Sequence, residues 1–473
     1  MSELPLDNRL RRRLSSFGVL LLTLSCLSPV FSVYGPGSDV MQHAGTGAAA
    51  LFLIGIGAAL VWAVVYAELG SAYPYAGGDY VGVGSTLGPA AGFACLALWA
   101  ATILTTNAYL AKVVTTYVAE AAPGVPVYAV TIGALALAVA IALLTVRLSA
   151  LVTGFFLCIE MLAVLVLIIV GFRHGAGGLP TILAHPALPE PGGGWLPVDA
   201  SALAVGAVTA AFATVGGNQA IAFGEELIDP HRRMGRVIMI ACLGGAIAIA
   251  LPVVAVVVGA GAKAAIYLSP APFSAFVASV AGVAAARALS ACVALAIFNA
   301  LIASVMFSAR LLFSFGRDAV FPAAMSTALA CVHTPSGAPR IATLAVGAAS
   351  AICCLLDVHV LLVFLSGLVV YGLALVSLAV LVGRLKGLTG KPGYWRSPFF
   401  PLAPVLGLAL AATFAAADVA DRSVGRPSLL ILGAVLVVAV LWYHVILKRR
   451  PGGWAPRLGH TDAAAAVLQT PSD

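Results

Sequence analysis

Apolar residues in this chain run in long, nearly unbroken blocks separated by short clusters of Arg, Lys, Asp, Glu, Pro and Gly. A helix needs about 20 mostly apolar residues to cross the hydrocarbon core of a bilayer. By that measure the pattern predicts twelve spans, at about 17–41, 47–72, 87–119, 125–146, 149–172, 200–224, 236–262, 285–315, 341–357, 359–383, 402–418 and 428–447. Each is expected to be helical, because an open strand leaves backbone groups unpaired in lipid. The expected fold class is therefore all-α, a polytopic membrane protein. It divides into an N-terminal tail (1–16), ten spans (17–384), two further spans (385–447) and a C-terminal tail (448–473). The longest polar stretch, Arg173 to Asp199, is rich in Pro and Gly and reads as an outer loop, and the tail after Lys448 reads as disordered.

Composition sharpens this picture. The 473 residues are 62% apolar and 9% charged, with a mean hydropathy of +1.07, against about 45–50% and about 25% for ordinary soluble domains. With 25 basic and 18 acidic residues, 43 charges in all, the chain is too poor in charge to coat soluble domains of this length. A soluble enzyme, a nucleic-acid binder, a disulfide scaffold and a disordered chain are excluded.

The net charge of +7 orients the helices rather than attracting nucleic acid. With the N-terminus in the cytoplasm, that side collects 19 Lys and Arg residues. They run from Arg9, Arg11, Arg12 and Arg13 through Arg147, Arg232, Arg233, Arg236, Arg310, Arg317 and Arg340. Arg384, Lys386, Lys391, Arg396, Lys448, Arg449, Arg450 and Arg457 complete the set. The opposite side holds five, Arg173, Lys263, Arg287, Arg422 and Arg426, with Lys112 inside the third span. The excess of basic residues in cytoplasmic loops then places both termini in the cytoplasm, in a cell-membrane protein. The basic leader carries Glu3 and Asp7 with no convincing cleavage site, and reads as a retained tail.

Two spans carry interruptions. The first contains Pro29, Gly35, Pro36 and Gly37 in LSCLSPVFSVYGPGS, and the sixth contains Gly216-Gly217-Asn218 in AAFATVGGNQAIAF. A proline inside a helix costs about 3 kcal/mol and frees a carbonyl. Freed backbone groups at membrane depth are tolerated only inside protein or along a cavity. Taken singly, either run reads as a kink or a close helix contact. As a pair in spans one and six, they mark a transporter's binding site. The blocks 17–172 and 200–384 have similar lengths, the layout of an inverted five-helix repeat.

Three motifs then carry a family resemblance. Tyr66 to Val83, YAELGSAYPYAGGDYVGV, is close to Y-x-E-L-x-x-x-x-P-x-x-G-G-x-Y. Phe223 to Ile238, FGEELIDPHRRMGRVI, is close to S-E-E-x-x-x-P-x-R-x-x-P-x-A-I. Ser308 to Pro322, SARLLFSFGRDAVFP, is close to S-R-x-x-x-x-x-x-R-D-G-x-x-P. Together they resemble the amino acid–polyamine–organocation permeases, and among them the general amino acid permease branch, over about residues 15–450.

The resemblance implies a leucine-transporter-like fold, with two inverted five-helix repeats and two peripheral helices. It also implies an amino acid substrate held at the breaks, by half-helix N-termini and freed carbonyls. Carried over, the binding residues are Ser28, Pro29, Val30, Phe31 and Ser32 in span one. In span six they are Thr214, Val215, Gly216, Gly217 and Asn218, with Phe212 a candidate cover. Here the chain departs from the family. Ser28-Pro29-Val30-Phe31-Ser32 replaces a Gly-Ser-Gly-like run, and Pro29 supplies no amide.

An ionisable side chain in mid-membrane costs about 2.5–3.5 kcal/mol on insertion scales. Glu160, in FFLCIEMLAVL, has apolar residues for a turn on both sides. A bare carboxylate is costly in so low a dielectric, which makes Glu160 the candidate proton-coupling group. By the resemblance it stands where many relatives place a lysine that substitutes for a sodium ion. The alternatives are a carboxyl satisfied by a hydroxyl or by Lys112, or a partner for a cationic substrate. Lys112 snorkels, pairs with Glu160 or meets substrate; Asp39 reads as solvated or capping, and Asn107 and Asn299 as packing or binding amides. Glu225, Glu226, Arg232, Arg233, Arg317 and Asp318 read as gate or scaffold ion pairs.

Catalytic signals are absent. The histidines form no His-x-x-x-His pair, and the cysteines show no metal-ligand spacing. Gly82-Val83-Gly84 follows a helix rather than a strand, and no phosphate loop occurs. No enzyme activity, cofactor or metal is expected. The expectation is a secondary amino acid transporter, proton-coupled, with a small-molecule substrate, protons and the bilayer as partners and no nucleic acid. An amine or polyamine importer or exchanger is the alternative within the class, and a non-transporting ligand sensor the alternative outside it.

Overall fold

The computed structural model describes Leu10 and residues 14–122, 124–144, 146–175, 178–190, 192–333 and 337–457. Arg9, Arg11 to Arg13 and the last sixteen residues of the tail lie outside the described residues. Each of the twelve predicted spans corresponds to one, two or, in span one, three helices. Among the described residues seven helical stretches are long and apolar enough to cross a bilayer, the first of them, Ser16–Ala72, covering spans one and two.

Local chemistry sets where many helices begin. The Ser15 side chain accepts from the Gly18 amide at 3.1 Å to start span one, and Asp199 Oδ1 accepts from Ala202 at 2.7 Å to start span six. Pro89 and Pro230 open spans three and seven, where the missing N–H costs nothing.

Span one is not continuous. Helix Ser16–Leu27 stops at Ser28, which sits at φ +43°, and a short helix Pro29–Tyr34 and a third, Pro36–Ala44, follow. Span six runs Ala200–Thr214, becomes extended at Val215, and resumes as a tight 3₁₀ helix over Gly217–Glu226. Gly216 between them has φ +149°, a conformation that favours glycine.

Small residues let helices approach closely. A Cβ on Gly171 of span five would lie 2.5 Å from the backbone of Ala255 in span seven (Pro230–Ala260). The outward face of span five, with Leu151, Phe155, Leu162, Leu165 and Ile169, is apolar and exposed, as are Leu430, Val437, Val438 and Leu441 of span twelve.

Two polar segments are more ordered than their sequence suggests. The stretch after Arg173 forms a helix, Leu179–Ala184, and an antiparallel hairpin pairing Ala187–Pro189 with Trp195–Pro197. The hairpin is pinned to the end of span one: the Thr46 hydroxyl accepts from the Ala187 amide at 2.9 Å, and Trp195 meets Tyr267 edge-on. At the other end of the bundle, residues 448–457 of the tail expected to be disordered are packed. Trp454 is buried, and its indole donates to the Asp318 carbonyl at 2.8 Å. Leu14, in the N-terminal segment, is bonded to the chain after span six through its amide to Glu226 (2.9 Å) and its carbonyl from Ile228 (3.2 Å).

Candidate functional site

A cavity of about 1030 Å³, solvent at its mouth included, lies between spans one, two, three, six, eight and ten. Six of the residues carried over from the family line it: Phe31, Ser32, Phe212, Val215, Gly216 and Asn218. The others stand behind it. Ser28, Pro29 and Val30 are buried, the Thr214 hydroxyl is turned onto the Gly55 carbonyl at 3.1 Å, and Gly217 packs on Cys242.

The rest of the wall comes from residues that sequence reasoning passed over. Trp62 and Tyr66, one helical turn apart on span two, stack at 4.7 Å. Span three (Pro89–Ala121) contributes Trp99, Ile103, Thr106, Tyr109 and Leu110, and span eight (Val283–Arg317) contributes Ser304, Phe307 and Ser308. Spacings of three and four put these on one face of each helix, which is the signal that marks them. No side chain lining the cavity carries a formal charge among the described residues.

The polar groups at the wall are held from behind. Asn107 donates to Ser308 at 3.1 Å and accepts from Ser304 at 2.7 Å, so it braces span eight from span three. The Trp62 indole donates to Asn218 Oδ1 at 3.3 Å, and the Tyr66 hydroxyl donates to Asp79 Oδ2 at 3.1 Å. Asn299 is fully buried, with no partner for either amide atom among the described residues.

Glu160 is 1% exposed and lies beside the interruption in span one. Its Oε1 accepts from the Ser28 hydroxyl and from the Val30 amide, both at 2.9 Å, while its Oε2 has no partner among the described residues. Lys112 is not its counter-ion: Nζ donates to the Leu356 carbonyl at 2.6 Å. Asp39 is more than half exposed and faces His43 at 3.3 Å.

Charged pairs gather at the end of the bundle where Leu14 and Trp454 lie. Arg310 meets Glu226 at 2.5 Å with both side chains buried, and stands over the Phe223 ring at 4.5 Å. Arg317 bridges Glu225 at 2.5 Å and Asp318 at 3.4 Å. Arg232 and Arg233 are exposed. These pairs join the second half of span six to span eight and touch no cavity residue's charge, so they brace the end of the bundle.

The comparisons with known proteins agree with this architecture. Residues 14–442 match the amino acid permease family profile. The Asc-type amino acid transporter 1 of Mus musculus and that of Rattus norvegicus are each 28% identical over 236 residues. Each match covers 46% of this chain and 43% of the relative, so it spans less than half the length of the curated proteins. Mhp1, a nucleobase-cation-symport-1 family transporter solved in a closed conformation with bromovinylhydantoin bound, superposes with a TM-score of 0.54. The two are 13% identical, and the superposition covers 93% of this chain and 96% of Mhp1, which shows a shared leucine-transporter-like fold. The chain belongs to the amino acid permease family, whose fold is that of membrane transporters and not of enzymes.

Proposed function

We propose that this chain is a secondary active amino acid transporter, coupled to protons, that works by alternating access around the interruptions of spans one and six. Glu160 is the proton-carrying group in this reading. The observation behind it is the bond between Glu160 and the first-span interruption, where one carboxylate oxygen takes both the Ser28 hydroxyl and the Val30 amide. In this reading a substrate carboxylate draws on those two donors, which stand behind the wall formed by Phe31 and Ser32. A charged Glu160 competes for them, because bonds to an ionised acceptor are roughly twice as strong as neutral ones. Protonation weakens that hold, so the arrival of substrate and of a proton favour each other.

The uncharged cavity wall supports a zwitterionic amino acid over an amine or polyamine as the substrate. The ten-span core, with inverted repeats at 17–172 and 200–384, carries the transport, and spans eleven and twelve are peripheral. The distribution of 19 basic residues against five supports termini in the cytoplasm and residence in the cell membrane. The apolar outward faces of spans five and twelve then meet lipid.

Uptake of radiolabelled amino acids into proteoliposomes, with and without an inward proton gradient, tests the reading. Accumulation is expected only with the gradient, and equal accumulation in both removes the coupling. Glu160→Gln is expected to abolish gradient-driven accumulation while keeping counterflow exchange; a variant that still accumulates removes the assignment. Thermal stabilisation by amino acids with no flux would instead favour a ligand sensor.

A further inference from the structure

Asp79 is a second buried carboxyl that the transport reading does not use. It opens the short helix Asp79–Leu87, in the connection between spans two and three, and is 3% exposed. Its carboxylate receives the Tyr66 hydroxyl at 3.1 Å, and the Trp99 indole and the Asn218 amide stand close enough to stabilise its charged form. All three partners line the cavity. They come from three separate elements, span two, span three and the second half of span six. Asn218 in turn takes the Trp62 indole, and Trp62 stacks on Tyr66. One carboxyl outside the cavity therefore bonds one residue of its wall directly and acts on two more.

We propose that Asp79 is a positioning residue of the cavity, and that gain or loss of a proton at its carboxyl moves Tyr66, Trp99 and Asn218 and so changes how tightly substrate is held. The charged form accepts the Tyr66 hydroxyl and attracts the other two donors. The protonated form loses the charge, gives up one acceptor position and adds a donor, so its hold on all three weakens.

Burial raises the pKa of Asp79 to about 7, with the nearby donors of Tyr66, Trp99 and Asn218 acting in the opposite sense. The carboxyl is therefore mostly protonated below neutrality and charged above it. The titratable groups facing it are the Tyr66 phenol from span two and the Cys95 thiol from span three, both uncharged near neutral pH. Span ten (Val358–Leu385) and the residue after it bring two cations to this region, each already engaged. Arg384 is held by Glu68, and Lys386 donates to the Thr86 carbonyl at the far end of the Asp79 helix. Tyr80, on the same helix, donates to Asp318 at 2.8 Å.

The test uses the full-length purified protein. Intrinsic tryptophan fluorescence is followed from pH 5.5 to 8.5 with no ligand, since Trp62 and Trp99 lie in the network. One inflection near neutrality is expected, lost in Asp79→Asn and displaced to higher pH in Tyr66→Phe, which removes a donor to the anion but keeps the carboxyl. No inflection in the wild type, or one unchanged in both variants, overturns the proposal. Tyr66→Phe alone decides if Asp79→Asn fails to fold.

Binding of radiolabelled L-phenylalanine, chosen for the aromatic wall, is then measured at pH 6 and pH 8. The loss of one bond to the charged form predicts a change of about 3- to 10-fold in Kd, reduced to less than about twofold in Asp79→Asn. An equal pH dependence in that variant also overturns the proposal. Failure of L-phenylalanine, L-leucine and L-alanine all to bind counts against the amino acid reading, on which only this arm rests. The ligand-free titration then decides Asp79 by itself.

Discussion

Glu68 is the glutamate of the YAEL motif, and replacing it tests whether that motif is a structural clamp. It ends span two fully buried and accepts five hydrogen bonds. Arg384 Nε reaches Oε1 at 2.8 Å and Nη2 reaches Oε2 at 2.7 Å. The Thr389 hydroxyl adds one at 2.9 Å, and Ser397 gives its amide at 2.9 Å and its hydroxyl at 2.5 Å. The carboxylate thus fastens span two to the end of span ten and to the chain that follows it. Glu68→Gln keeps the shape, removes the charge and turns one acceptor into a donor facing other donors. The two bonds from Arg384 are charge-assisted, at about 1.5–3 kcal/mol each. Arg384 is 20% exposed, so solvent recovers part of this, and the net cost is about 2–4 kcal/mol. Scaled to a chain of this length, that lowers the melting temperature by roughly 2–4 °C, read by a fluorescence thermal scan in detergent. Arg384→Gln should cost a similar amount, and the double variant less than the sum of the two. A shift below about 1 °C for Glu68→Gln, or strict additivity in the double variant, would refute the clamp.

Two further outcomes are expected. In Gly217→Ala the new Cβ would stand 2.5 Å from Cys242 Sγ and 2.8 Å from its backbone nitrogen. Overpacking of about 1–3 kcal/mol should slow amino acid exchange, while Gly244→Ala, with open space around its Cβ, leaves exchange unchanged; equal rates in the two would sink this account. In the connection between spans eleven and twelve, burial pushes the Asp421 carboxyl up. The Ser423 hydroxyl and the Gly425, Ser423 and Val424 amides outweigh burial and hold it below its usual value. Its stabilisation is therefore present above the ordinary carboxylate range and lost as pH falls through the lowered value. Amide exchange at Val424 and Gly425 should be slower than in Asp421→Ala at neutral pH, with the difference vanishing in acid.

The twelve spans were legible because a bilayer obliges each crossing segment to satisfy its own backbone, so length and hydropathy are local signals. The interruptions are equally local: Pro29 and Gly216-Gly217 carry their backbone consequences in their own covalent structure. Glu160 was conspicuous as a lone carboxyl in an apolar run. The order of residues 448–457 was hidden, because what fixes them is Trp454 on Asp318, a contact between distant segments.

The chain's sequence by itself determined that it is a polytopic helical membrane protein, which spans are interrupted, and which few ionisable groups lie deep. Only the tertiary structure decided what those groups touch. Glu160 and Lys112 both lie within apolar spans, yet one reaches Ser28 and Val30 about 130 residues away and the other a carbonyl at Leu356. Trp62, Tyr66 and Trp99 look like core aromatics in sequence, and Asp79 like one more motif residue, until folding puts the three rings on one cavity with Asp79 bonded behind Tyr66. The reason is physical. In a helix apolar on every side, hydropathy does not tell lipid from neighbour from cavity, and that distinction exists only once the helices are packed.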